Sequence, residues 1–142
     1  MSTLNGYNKE QKLKSRKAME ALFASGKSFN AFPIKVFYTI APVNQSDLAA
    51  KSTDRDFVKA GVGVSARNFK KAVDRNRVKR LLREVYRTQK QDLINAAALQ
   101  FSSLNVFFLY VGKELPEYVD LKISMEKTLE KLIVRMSETA KQ

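Results

Sequence analysis

The segment from Phe69 to Glu84, FKKAVDRNRVKRLLRE, holds the side chains of this chain best equipped for a chemical task. Between Arg67 and Lys90 stand ten Lys and Arg against two Asp and Glu. That surplus of eight is two thirds of the net charge of +12 carried by all 142 residues. Cations crowded in this way repel one another, and a polyanion relieves the repulsion. Arginine, the commoner cation here, grips a phosphate through two parallel N–H bonds. Asn76 lies between Arg75 and Arg77. Its amide donates and accepts at once, which suits a ribose 2′-hydroxyl or a base edge. At the start of a helix the same side chain would act as a cap. Recognition of nucleic acid is the chemistry these residues offer.

Bond-breaking chemistry is poorly supplied. The chain has no histidine, the usual general base near neutral pH and the commonest metal ligand. It has no cysteine, which excludes disulfides, zinc–thiolate sites and thiol nucleophiles and fits a reducing compartment. A protein that cut RNA by itself would need carboxylates for magnesium, and Asp54, Asp56 and Asp74 are the candidates. Asp54 and Asp56, however, flank Arg55 in a polar stretch, and Asp74 stands among cations. The pI of about 10.0 matches a nucleic-acid binder. No apolar run approaches the roughly 20 residues that span a bilayer. Met1 to Lys12 is polar and lacks the apolar stretch of a secretory signal. The expectation is a cytoplasmic protein with neither membrane nor small-molecule cofactor.

Helical periodicity shows how the cations are presented. With Arg75 at zero and 100° per residue, Lys79, Lys90, Arg83, Asn76, Arg87 and Arg80 fall between about 40° and 140°. Leu81, Val85, Val78 and Leu82 fall between about 240° and 340°. The spacing predicts a helix ending near Lys90, with an aliphatic wall docked on a sheet and a cationic wall facing outward. Arg77, near 200°, stands apart and would reach a different groove or strand. A merely solvated helix would alternate signs to gain i,i+4 pairs, whereas here Glu84 alone interrupts the cations of the helix body.

The rest of the chain supplies the frame. Ala18, Met19, Leu22 and Phe23 predict a short amphipathic helix over residues 15–25, ended by Gly26. Residues 28–31 read as an edge strand. Ile34, Val36, Tyr38 and Ile40 then alternate with Lys35, Phe37 and Thr39, so the first set faces a core and the second faces outward. Phe37, between a cation and a hydroxyl, is a candidate stacking platform. Residues 42–56 form a polar loop, and residues 57–65 a strand expected to pair antiparallel with the previous one. Gly61 and Gly63 in that strand mark either a bulge or a twist, or the close approach of a ligand backbone. Residues 92–101 are weakly helical and either continue the basic helix or form another turn. Leu104 to Val111 reads as a central buried strand. Tyr118, Leu121, Met125, Leu129, Leu132 and Met136 predict a long C-terminal amphipathic helix. This order describes an α+β sandwich of one domain, residues 13–138, behind a flexible tail, residues 1–12.

Phe69, Ala72, Arg75-Asn76-Arg77, Val78, Lys79-Arg80 and Arg83 fill, place by place, the signature of a known family. The chain resembles the protein component of bacterial ribonuclease P over residues 13–135. The resemblance implies an α–β sandwich with a small mixed sheet of about four strands, three helices and a left-handed βαβ crossover, similar to domain 2 of ribosomal protein S5. It also implies a ribonucleoprotein endonuclease that removes the 5′ leader of precursor tRNA. In that enzyme the RNA subunit performs the hydrolysis with magnesium held mainly on the RNA. The protein supplies no catalytic residue, binds no cofactor alone and is monomeric when free. The implied partners are ribonuclease P RNA and precursor tRNA.

Carried onto this sequence, the resemblance assigns RNA-subunit binding to Arg67, Lys71, Arg75, Asn76, Arg77, Lys79, Arg80, Arg83 and Arg87. Leader binding falls to Met19, Phe23, Lys35, Phe37 and Thr39. Met19 stands where a phenylalanine is common, and methionine keeps apolar contact without the stacking of a ring. Ser65-Ala66-Arg67 departs from the family's serine followed by two lysines, and Arg67 supplies the missing cation. The loop over residues 42–56 is long for the family. Rival readings are a ribosomal or other structured-RNA-binding protein of similar fold, a DNA-groove reader and a protein that cuts RNA by itself.

Overall fold

The chain runs β1 (Lys27–Ala31), β2 (Ile34–Pro42), β3 (Val58–Val64), α1 (Ala72–Arg87), α2 (Gln91–Leu99), β4 (Ser102–Tyr110) and α3 (Tyr118–Ala140) in the computed structural model. The structure describes residues 20, 22–24, 26–42, 58–99 and 102–140, of which residues 20 and 22–24 are helical. The tail at residues 1–12 and most of the polar loop lie outside the described residues.

The strands form one mixed sheet in the order β1-β2-β4-β3. β1 pairs antiparallel with β2 and β2 antiparallel with β4, while β3 runs parallel to β4. The expected antiparallel pairing of residues 57–65 with β2 is therefore wrong, because β4 lies between them. The physical reason is burial. Leu104, Val106, Phe108 and Tyr110 of β4 are at most 4% exposed, and a strand so apolar is best placed with a neighbour on each edge. β3 reaches its parallel partner through the crossover made by α1 and α2, as a parallel pair requires.

Period-2 alternation sets which side chains enter the core. Ile34, Val36 and Tyr38 of β2 and Val58 and Ala60 of β3 are buried beside the four β4 residues. Three helices cover this face. α1 contributes Val78, Leu82, Val85 and Tyr86. α2 contributes Leu93, Ile94 and Ala97. From α3 come Leu121, Met125, Leu129, Leu132 and Met136. All belong to one apolar cluster.

The basic helix stops short of its expected end. Thr88 and Gln89 turn the chain, with the Thr88 hydroxyl donating to the Val85 carbonyl (3.3 Å) and the Gln89 amide to the same oxygen (3.0 Å). A separate helix follows, so α2 is a helix beyond the three expected. The turn re-aims the chain so that the apolar stripe of α2 meets the core. It also removes Lys90 from the cationic wall: this residue lies in the turn and is 2% exposed. No helix among the described residues is long and apolar enough to cross a membrane.

Phe108 sits at the centre of the sheet, fully buried, with its ring centroid 5.3 Å from that of Tyr86. Phe108→Ala is expected to cost about 3–5 kcal/mol in urea unfolding. Val134→Ala, at a side chain 55% exposed, should stay within about 0.5 kcal/mol.

Candidate nucleic-acid interface

The start of α1 is held by side chains that precede it or reach back to it. Its N-cap, Lys71, is extended and makes no side-chain capping bond, so Asn76 is not the cap. Arg75 instead reaches back, and its Nη1 donates to the carbonyls of Phe69 (2.8 Å) and Lys70 (2.7 Å). Asn68 Nδ2 donates to the carbonyls of Val111 (3.1 Å) and Gly112 (3.3 Å), tying the β3–α1 loop to the end of β4. Phe69 is buried against Tyr110, with centroids 6.0 Å apart. The loop is thereby fixed in place, and Arg67, Lys70 and Lys71 project from it into solvent.

Along α1, Asn76, Arg77, Arg80 and Arg83 are exposed, while Arg75 and Lys79 are half-buried. Tyr86 explains the difference. It falls near 20° on the wheel, so the buried face extends past the aliphatic wall toward Arg75 and Lys79. Arg87 is engaged within the helix: its Nη2 lies 2.6 Å from Glu84 Oε1 and its Nε donates to Oε2 at 3.2 Å. That hydrogen bond outweighs desolvation and, with the guanidinium charge adding to it, holds the Glu84 carboxyl below its ordinary value. The pair is thus intact above the ordinary carboxylate range and released as pH falls through the lowered value. Val73 is 77% exposed and shares its helix face with Asn76, Arg77 and Arg80, an apolar spot within a cationic surface that the spacing alone did not single out.

A second surface lies on the opposite face of the sheet from the three helices. Register places Lys35 opposite Leu109, Phe37 opposite Phe107 and Thr39 opposite Asn105. Phe23, on the helical turn before β1, meets two of these rings edge-on. Its centroid is 5.0 Å from that of Phe37 at 89° and 5.2 Å from that of Phe107 at 80°. Edge-to-face pairs at such distances are favourable arrangements of aromatic quadrupoles. Lys35 Nζ stands 5.2 Å from the Phe37 centroid, within cation–π range. Phe23 remains 48% exposed above this cluster, whereas its neighbour Leu22 is buried.

Of the residues assigned to leader binding, the structure brings Phe23, Lys35 and Phe37 into contact, with half-buried Thr39 two residues further along β2. Met19 lies outside the described residues. Phe107 is the member that sequence reasoning missed. In an almost wholly apolar strand nothing separates odd from even positions until β4 is known to neighbour β2. Asp54 and Asp56 lie outside the described residues. Among the described residues no three acidic side chains gather to hold a metal ion.

Fold and surfaces define a class: an α+β sandwich with a cationic helix on one side of its sheet and an aromatic cluster on the other. The family model for ribonuclease P matches residues 7–133, and the chain belongs to the ribonuclease P protein component family. The ribonuclease P protein component of Porphyromonas gingivalis is 30% identical over 124 residues, covering 87% of this chain and 84% of the relative. That of Chlorobium phaeobacteroides is 32% identical over 142 residues, covering 95% and 92%. The solved RNase P protein of Staphylococcus aureus shares the fold with a TM-score of 0.61 at 18% identity, over 87% of this chain and 96% of that one.

Arg75 and Arg80 differ in what they do for the folded chain. Arg75→Ala, which loses two bonds to backbone carbonyls, is expected to lower unfolding free energy by about 1–2 kcal/mol. Arg80→Ala, at an exposed position, should change it by less than about 0.5 kcal/mol. Urea denaturation of the two variants checks the contrast.

Proposed function

We propose that this protein is the protein subunit of ribonuclease P, binding the catalytic RNA through the outer wall of α1 and the 5′ leader of precursor tRNA on the open sheet face. It thereby supports endonucleolytic removal of the leader in tRNA maturation. The observation that carries this reading is that a chain of this family presents two chemically different surfaces, a cationic helix wall and an aromatic cluster, on opposite sides of its sheet. Exposed Arg77, Arg80 and Arg83 suit phosphates, and the Phe23–Phe37 cluster beside Lys35 suits unpaired bases. Stacking on an aromatic tolerates any base, as a leader of variable sequence requires.

Magnesium-dependent hydrolysis belongs to the RNA subunit in this reading. The residues of the protein bind and orient: holding the leader limits the positions open to the scissile phosphate, a contribution of proximity rather than of acid–base chemistry. The cationic wall also offsets repulsion between two polyanions. We read the free protein as a cytoplasmic monomer that binds no small-molecule cofactor.

Assembly with the RNA subunit should weaken on Arg80→Ala, and the slope of log K against log salt should fall by about 0.7–0.9 for each phosphate no longer neutralised. An unchanged slope would mean that Arg80 touches no phosphate. Phe37→Ala in the assembled enzyme is expected to lower affinity for leader-bearing tRNA about 5- to 100-fold more than for mature tRNA. Equal losses on both would remove the leader from this face. Cleavage of precursor tRNA by the pure protein, without RNA subunit, would overturn the proposal as a whole.

A further inference from the structure

Phe107 stands directly opposite Phe37 across the β2–β4 pair and touches Phe23. Its partner on the other side, across the parallel pair, is Gly61, and Gly63 follows opposite Leu109. A Cβ added to Gly63 would come within 2.5 Å of Phe107 Cζ and 2.9 Å of Cε1. The ring therefore leans over β3 and occupies the space that a side chain at 63 would fill.

This close approach gives Gly63 a role that neither sequence reading named. Pairing of β3 with β4 runs unbroken from Val58 to Val64, so there is no bulge. No described glycine has a positive φ, so backbone conformation does not demand the residue either. Gly63 is a seat for an aromatic ring, and a strand that gives up a side chain there does so to place Phe107.

The surroundings of the ring resemble those of Phe37. Half-buried Asn105 precedes it by two residues on the same face, in register with exposed Lys59 on β3. Lys35 lies on the far side of the aromatic row. Rows two residues apart along a strand are separated by about 6.6 Å. A chain of nucleotides crossing the sheet thus meets rings in the middle and a lysine on either flank.

We infer that Phe107 is a third aromatic residue of the leader site, extending the stacking surface from β2 onto β4 so that it takes one further unpaired base of single-stranded RNA. The inference rests on the leader reading proposed above. The bland alternative is that Phe107 only props Phe23, in which case its loss acts through folding and not through the leader.

The test uses the protein assembled with its RNA subunit, comparing affinity for leader-bearing and mature tRNA, with urea unfolding of each free variant alongside. Phe107→Leu keeps an apolar side chain but removes the ring, and should reduce the preference for leader-bearing tRNA about fivefold or more, the low end of base–aromatic stacking. Phe107→Tyr restores a ring and should hold the preference within about twofold of the parent, smaller than the loss of one stacked base produces. Gly63→Ala evicts the ring from its seat and should mimic Phe107→Leu; if Phe107→Leu does not fold, this variant carries the comparison. Equal losses on both tRNAs, or an unchanged preference while Phe37→Ala retains its leader-specific loss, would overturn the role of Phe107 alone. If neither Phe37→Ala nor Phe107→Leu alters the preference, the leader reading itself fails.

Discussion

One-sided burial of β4 is the constraint on which the rest of this molecule depends. Both edges of the strand are hydrogen-bonded, and its Leu104, Val106, Phe108 and Tyr110 are sealed beneath helices. Each such side chain contributes about 1.5–3 kcal/mol when removed from water. An ion pair at the surface, such as Glu84–Arg87, adds little by comparison because solvent screens it. Apolar burial, not charge pairing, therefore determines how α1 lies. Once Val78, Leu82, Val85 and Tyr86 are committed to the sheet, Arg77, Arg80 and Arg83 are left facing outward.

The same constraint separates the two candidate surfaces. With α1, α2 and α3 on one face, the other is left to Lys35, Phe37, Thr39, Asn105, Phe107 and Leu109, partly covered by the helical turn that carries Phe23. A polyanion bound on α1 and a single strand bound on the open face would address different chemistry. Phosphate contacts weaken steeply with salt, whereas stacking on rings depends on salt much less. A four-stranded sheet with α1, α2 and α3 on one side keeps the cationic and the aromatic surfaces apart.

Local devices then refine the surfaces. Arg75 belongs to the family signature, yet part of its guanidinium secures the backbone where α1 begins, and Asn68 clamps the same loop to β4. The cations projecting from this loop are consequently held on a fixed frame. Gly63 shows the converse device: a missing side chain on an edge strand makes room for a ring on its neighbour.

Much was legible in the sequence because it is local. Alternation along β2, the aliphatic and cationic walls of α1, the stripe of α3 and the Arg75-Asn76-Arg77 signature all report how one element treats its own two faces, and periodicity carries that information by itself. Which element lies beside which is not local. The insertion of β4 between β2 and β3, the turn that hides Lys90 and adds α2, the bonds that engage Arg75 and the meeting of Phe23, Phe37 and Phe107 all depend on interactions between distant segments. A hydrophobic pattern specifies that a face must be covered and leaves open what covers it; only packing of the whole chain, where the most apolar strand takes the centre, made that choice.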